Sequence, residues 1–160
     1  MYRKPGSLLS SVLAAVVVGL GTAGPGNAGD TSFAQYRQHV NKICRSYTPR
    51  LQRLDADVAK AVRAGNGNRA ATDFRRLLQL TLAETRDIQK VSVPADARPQ
   101  MRRPLRLLHG FRAQLRRVIT ASRTSAAALQ AELEKLARVT PPLNRAFDSV
   151  GLQDCGSRQQ

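Results

Sequence analysis

Few residues of this chain have side chains that do chemistry. There are two Cys, Cys44 and Cys155, and two His, His39 and His109. No Gly-x-Ser-x-Gly nucleophile elbow is present, and the 11 acidic residues are scattered, with none set apart for acid–base work. His39 lies five residues before Cys44, so on one helix the two side chains point in different directions. Two Cys and two His match the donor count of a tetrahedral zinc site, yet positions 39, 44, 109 and 155 fit no short ligand loop. The expectation is a chain with no catalytic residues, no metal site and no cofactor, and so not an enzyme.

What the cysteines do depends on the compartment. Arg3 and Lys4 precede an apolar run of 13 residues, Leu8 to Leu20, and Gly24-Pro25-Gly26 then breaks any helix. Gly26 and Ala28 are small residues at the −3 and −1 positions of a cleavage site, so residues 1–28 read as a secretory signal and residues 29–160 as a single domain. A membrane span needs about 20 apolar residues, more than this run offers; retention as an N-terminal anchor is the alternative. Export makes a bridge between Cys44 and Cys155 the expected use of the thiols, since outside the cytoplasm a lone pair of Cys is usually oxidised. The competing use is two free thiols.

The strongest signal is charge. Against 11 Asp and Glu stand 26 Lys and Arg, a formal net charge of +15. From Arg98 to Arg123 there are eight Arg and no acid. At about 100° per residue, Arg98, Arg102, Arg106, Arg112, Arg116 and Arg123 share one side of a helix, with His109 among them. Met101, Leu108, Phe111, Leu115, Val118 and Ile119 fill a separate arc. This is a basic amphipathic helix, whose Arg face is either an anion-binding surface or simply solvated.

The elements that would carry these residues read as helices throughout. Asp30-Thr31-Ser32 is a helix start, and Phe33, Tyr36, Val40, Ile43, Cys44 and Tyr47 follow at three- and four-residue steps. Thr48-Pro49 is expected to end that helix and open a second, with Leu51, Leu54, Val58, Ala61 and Val62 inside. Gly65-Asn66-Gly67-Asn68 is a turn, with Asn68 the expected cap of a helix bearing Phe74, Leu77, Leu78, Thr81, Thr85 and Ile88. The Arg-rich helix runs to about Ser122. Another carries Leu129, Leu133 and Leu136. Thr140-Pro141-Pro142 is expected to stop it and cap a short last piece with Leu143, Phe147 and Val150. No segment alternates with period two. The fold expected is all-α, an up-and-down bundle of about four main helices with short extra pieces, stapled by one disulfide.

Ile43-Cys44 in the first helix and Gly151-Leu152-x-x-Cys155-Gly156 at the end resemble a loose group of small exported helical proteins of actinobacteria. Their first helix carries an "aIC" motif and their last residues read "GL..CG". Here Lys42 stands where the small residue of the first motif would be. The resemblance implies a disulfide-linked bundle at the cell envelope, and no activity. Many of that group look like lipoproteins; this chain has no Cys near its cleavage point, so a released protein is expected. Two functions follow as expectations. One is an exported, non-enzymatic bundle protein of the envelope or medium, with its partner unknown. The other is a cationic module for anionic wall polymer, membrane surface or nucleic acid. Few aromatic residues interleave with the Arg, which weakens a single-strand stacking reading, and no specific nucleic acid is expected as a partner.

Overall fold

A computed structural model of the chain describes residues 28–159. The expected signal segment lies outside the described residues except for Ala28. Four helices follow one another: α1 (Ala28–Arg63), α2 (Gly67–Lys90), α3 (Arg98–Ala121) and α4 (Ala126–Asp148), then two short 3-10 turns, Gln153–Cys155 and Ser157–Gln159. The protein is an all-α, up-and-down bundle closed by a disulfide between Cys44 and Cys155.

Two expected breaks are absent. Thr48-Pro49 does not end the first helix; α1 continues through Pro49 for 36 residues, about 54 Å at 1.5 Å per residue. Likewise α4 runs through Pro141 and Pro142. The threonines before the prolines do not act as caps. In the fold, Thr48 Oγ1 donates to the carbonyl of Cys44 (3.0 Å) and Thr140 Oγ1 to that of Leu136 (2.8 Å), each bonding back one turn within a continuing helix. A proline orphans the carbonyl four residues before it. Those belong to Arg45, Ala137 and Arg138, all exposed, so water can serve them. Continuing α4 also brings Leu143, Ala146 and Phe147 into the core, an apolar burial that offsets the lost bonds.

The other boundaries follow capping chemistry. Asn66, rather than Asn68, caps α2, its side chain accepting from the Arg69 amide at 3.0 Å. Asn68 lies inside the first turn, where its carbonyl accepts from Thr72. Ser125 caps α4 by accepting from the Ala128 amide at 3.1 Å. α1 begins at Ala28, ahead of Asp30.

Packing is uneven. α1 pairs closely with α2, and α3 with α4; α2 and α3 join the two hairpins more lightly, while the backbones of α1 and α4 stay farther apart. At one end the C-terminal turn fills the space between α1 and α4. There Tyr36, Val40 and Cys44 of α1 meet Met101, Leu108, Phe147, Leu152 and Cys155 in the main core. At the other end Leu78, Leu115 and Val118 are buried, but Phe74, Leu129, Leu133 and Leu136 around them are only half-buried.

The C-terminal turn is held by more than sulfur. Asn41 donates to the Gly151 carbonyl (3.0 Å) and accepts from the Asp154 amide (3.3 Å), and Arg45 pairs with Asp154. Leu152 is fully buried. Gly151 sits at φ +79°, the left-handed region that favours glycine. A Cβ on Gly156 would lie 2.3 Å from Asp148 Oδ1 and 3.0 Å from the backbone oxygen of Asn144. The Gly-Leu-x-x-Cys-Gly ending thus has a steric reason at each of its fixed positions.

Candidate anion-binding site

The cysteines are structural. Their Cα atoms are 5.2 Å apart, inside the usual disulfide range, and the two residues are 0% and 5% exposed. Such a buried bridge belongs to a protein of an oxidising compartment. His39 on α1 and His109 on α3 are both exposed. Among the described residues no three His, Cys, Asp or Glu side chains gather to hold a metal, and no helix is long and apolar enough to cross a membrane.

The Arg face of α3 extends over about 37 Å, at 1.5 Å per residue from Arg98 to Arg123. Arg98, Arg102, Arg106, Arg116 and Arg123 are exposed. Arg112 is set apart: it is half-buried, its guanidinium donates to Gln89 Oε1 of α2, and its Nε is buried without a partner among the described residues. It serves the α2–α3 contact. The remaining five form a string along one helix.

A concentrated cluster lies elsewhere. Arg50 and Arg53 of α1, Arg75 and Arg76 of α2, and Arg123 just past α3 surround an open groove of about 730 Å³. Leu54, Leu80, Ala83 and Ile119 form its apolar floor, and among the described residues no acid lines it. The antiparallel hairpin explains the meeting. Folding the chain back at residues 64–66 sets Arg53 opposite Arg76 and Arg50 opposite Gln79, and α3 returns its C-terminal end to the same level.

The groove cations are little compensated. Arg76 shares Asp73 with Arg69 (3.2 and 3.5 Å). Arg75 donates to the Ala71 carbonyl (3.2 Å), and Arg50 lies 5.7 Å from the centre of the Tyr47 ring. Arg53, Arg75 and Arg123 have no ion pair among the described residues. The nearby Asp87 is occupied. The Tyr47 hydroxyl donates to its Oδ2 (2.6 Å), and Lys90 binds Oδ1 (2.9 Å). These two bonds hold the Asp87 carboxyl below its usual range; the same hydrogen bond, with burial, pushes Tyr47 up.

Guanidinium groups offer planar, bidentate donors to phosphate and carboxylate, and several converging on a low-dielectric floor focus the field on an anion there. The sequence pattern along α3 pointed to Arg123 and missed the other four groove residues. The paired Arg50-x-x-Arg53 and Arg75-Arg76, combined with antiparallel pairing about the Gly65 turn, is the signal that finds them. In comparisons with known proteins, no family model matches the chain, no curated protein is significantly similar to it, and no solved structure matches its fold.

Proposed function

We propose that this chain is an exported, non-enzymatic helical-bundle protein that holds onto an anionic polymer of the cell envelope. The observation that carries the reading is the convergence of Arg50, Arg53, Arg75, Arg76 and Arg123 from three helices on one acid-free groove. A polymer of repeating phosphate or carboxylate engages several guanidinium groups at once and displaces counterions as it does so. Each exposed pairing alone is worth only about 0–1 kcal/mol. The Arg string along α3 extends the basic surface beyond Arg123. The apolar run after Arg3 and Lys4, the small residues before Gly29 and the resemblance to small exported actinobacterial proteins support export. Cleavage after Ala28 would leave residues 29–63 of α1 in place.

The test uses the chain from Gly29 onward and a purified phosphate-bearing wall polymer, with duplex DNA and anionic vesicles as comparisons, each at low and high salt. Retention on the polymer should fall steeply as salt rises, because exposed charges are screened over about 8–10 Å at physiological ionic strength. The variant Arg53→Gln/Arg75→Gln/Arg123→Gln should lose retention, while Arg98→Gln/Arg102→Gln/Arg106→Gln keeps most of it. Both should melt near the parent, since all six side chains are exposed. Absence of retention at low salt overturns the reading, as does tighter binding of DNA or vesicles, or loss of binding in the α3 variant alone.

A further inference from the structure

A second groove, of about 460 Å³, lies on the other side of α2. At about 100° per residue, Leu77, Leu78, Thr81, Thr85 and Ile88 point opposite to Arg75, Arg76, Gln79 and Ala83 of the basic groove. It opens where the backbones of α1 and α4 stay apart. Cys155 and Gly156 of the C-terminal turn close one end, and the walls come from all four helices. They include Phe74, Leu77, Leu133 and Leu136, large apolar side chains left half-buried inside a helical bundle.

Shape and charge narrow the occupant. From the level of Phe74 to that of Ile88 is 14 residues of helix, about 21 Å. Spread over that length, and allowing for the radius of a water molecule, this volume is a space about 8 Å wide. A helix with side chains is about 10–12 Å across, a section of roughly 80–110 Å², and does not fit inside. A single extended alkyl chain does. The size and apolar lining are those of a small-molecule site between bundle helices. Although the chain has 26 basic residues and 11 acidic ones, no Lys, Arg or His lines this groove among the described residues. Its charged groups are Asp55, exposed on the α1 rim, and Glu84, in the α2 wall.

We propose that this groove binds a single-chain amphiphile, its alkyl chain along the apolar walls and a cationic head at the Asp55 rim. The head belongs either to a free long-chain ammonium or to a choline-type lipid with one chain. The inference stands independently of polymer binding, because it uses the opposite face of α2.

The experiment is calorimetric titration of the chain from Gly29 onward, below the micelle concentration, with three probes of equal chain length: hexadecyltrimethylammonium, hexadecanoyl lysophosphocholine and hexadecanoate. Net charge alone would favour the carboxylate. The groove should reverse that order, with the ammonium at least about tenfold tighter than hexadecanoate. The lysophospholipid arm separates the two sources of the head group. Asp55→Lys, at an exposed position, should shrink the ammonium preference by about tenfold. Leu136→Trp should fill the groove and weaken all three probes, with circular dichroism reporting whether the helices are intact. The triple Gln variant of the basic groove should bind the probes like the parent. Saturable binding of none of the three, hexadecanoate binding as tightly as the ammonium, or an unchanged preference in Asp55→Lys each overturn the proposal. The last criterion does not depend on Leu136→Trp folding.

Discussion

Replacing both cysteines by alanine is the most demanding test of how the bundle is held. The bridge spans a sequence separation of 111 residues. Chain-entropy bookkeeping for a loop of that length gives about 4.8 kcal/mol of stabilisation at 25 °C, removed when the denatured chain is no longer cross-linked. Two buried sulfurs are lost as well, at 0% and 5% exposure, which adds a cavity cost of order 1 kcal/mol. Alanine is preferred to serine because a hydroxyl there would be buried without a designed partner. The C-terminal turn keeps its bonds to Asn41 and its pairing with Arg45, so these contacts survive in the variant.

A total near 5–6 kcal/mol is a large share of the 5–15 kcal/mol available to a domain. A domain of this size loses roughly 3–5 °C in Tm per kcal/mol, so the double variant should melt about 15–30 °C below the oxidised parent. Thermal denaturation followed by circular dichroism measures this, with reduced parent as a second arm. Each single variant should fall about as far as the double, because either one breaks the same bond. A fall under about 5 °C would refute the reasoning: the turn would then be held by its polar contacts and Leu152, with the bridge adding little.

The remaining predictions concern single sites. Gly156→Ala should cost about 1–3 kcal/mol, read as a lowered denaturant midpoint, because its Cβ would displace the Asp148 carboxylate, 2.3 Å away, and also press on the Asn144 backbone oxygen at 3.0 Å, which cannot swing aside. Tyr36→Phe should be neutral or stabilising by up to about 1 kcal/mol, since the Tyr36 hydroxyl is buried without a partner among the described residues, and its burial raises the phenol pKa to about 12. Asp87 should titrate below the ordinary carboxylate range by NMR. Its contribution to stability is complete above that range and lost as pH falls through the depressed folded value; Tyr47→Phe should move that value back up.

The parts of the fold that repeat locally were legible. The stripe Tyr36, Val40, Cys44 is as buried as its spacing predicts, and Ser122 and the Gly65 turn mark real boundaries. The prolines misled because proline reports only a local cost. Whether a helix survives Pro49 or Pro141 depends on what lies beyond it, here Phe147 and Leu143 reaching the core, and on whether the orphaned carbonyls face water. Threonine before proline is ambiguous for the same reason: its hydroxyl can cap the next helix or bond back into the previous one. Arg112 looked like the rest of its face and is instead drawn into the α2–α3 contact by Gln89, a partner 23 residues away. The basic groove was hidden for a different reason. Its five Arg come from three helices, and a periodicity read along one helix cannot register residues that meet only once the hairpins pair.

Staple and grooves are connected by the same unevenness of packing. A four-helix bundle closes when each helix packs on two neighbours, and here the backbones of α1 and α4 stay apart, meeting through core side chains at one end. Without a substitute, the α1–α2 and α3–α4 hairpins would hinge on the light α2–α3 contact alone. The C-terminal turn supplies the substitute: it touches both α1 and α4, buries Leu152, and is fastened to α1 by Cys155. The bridge therefore fixes the spacing of α1 and α4 at one end and leaves the gap between them standing along the rest of their length. Along that gap the chain keeps half-buried Leu and Phe facing a space that no Lys, Arg or His lines among the described residues, with the covalent tie at its closed end.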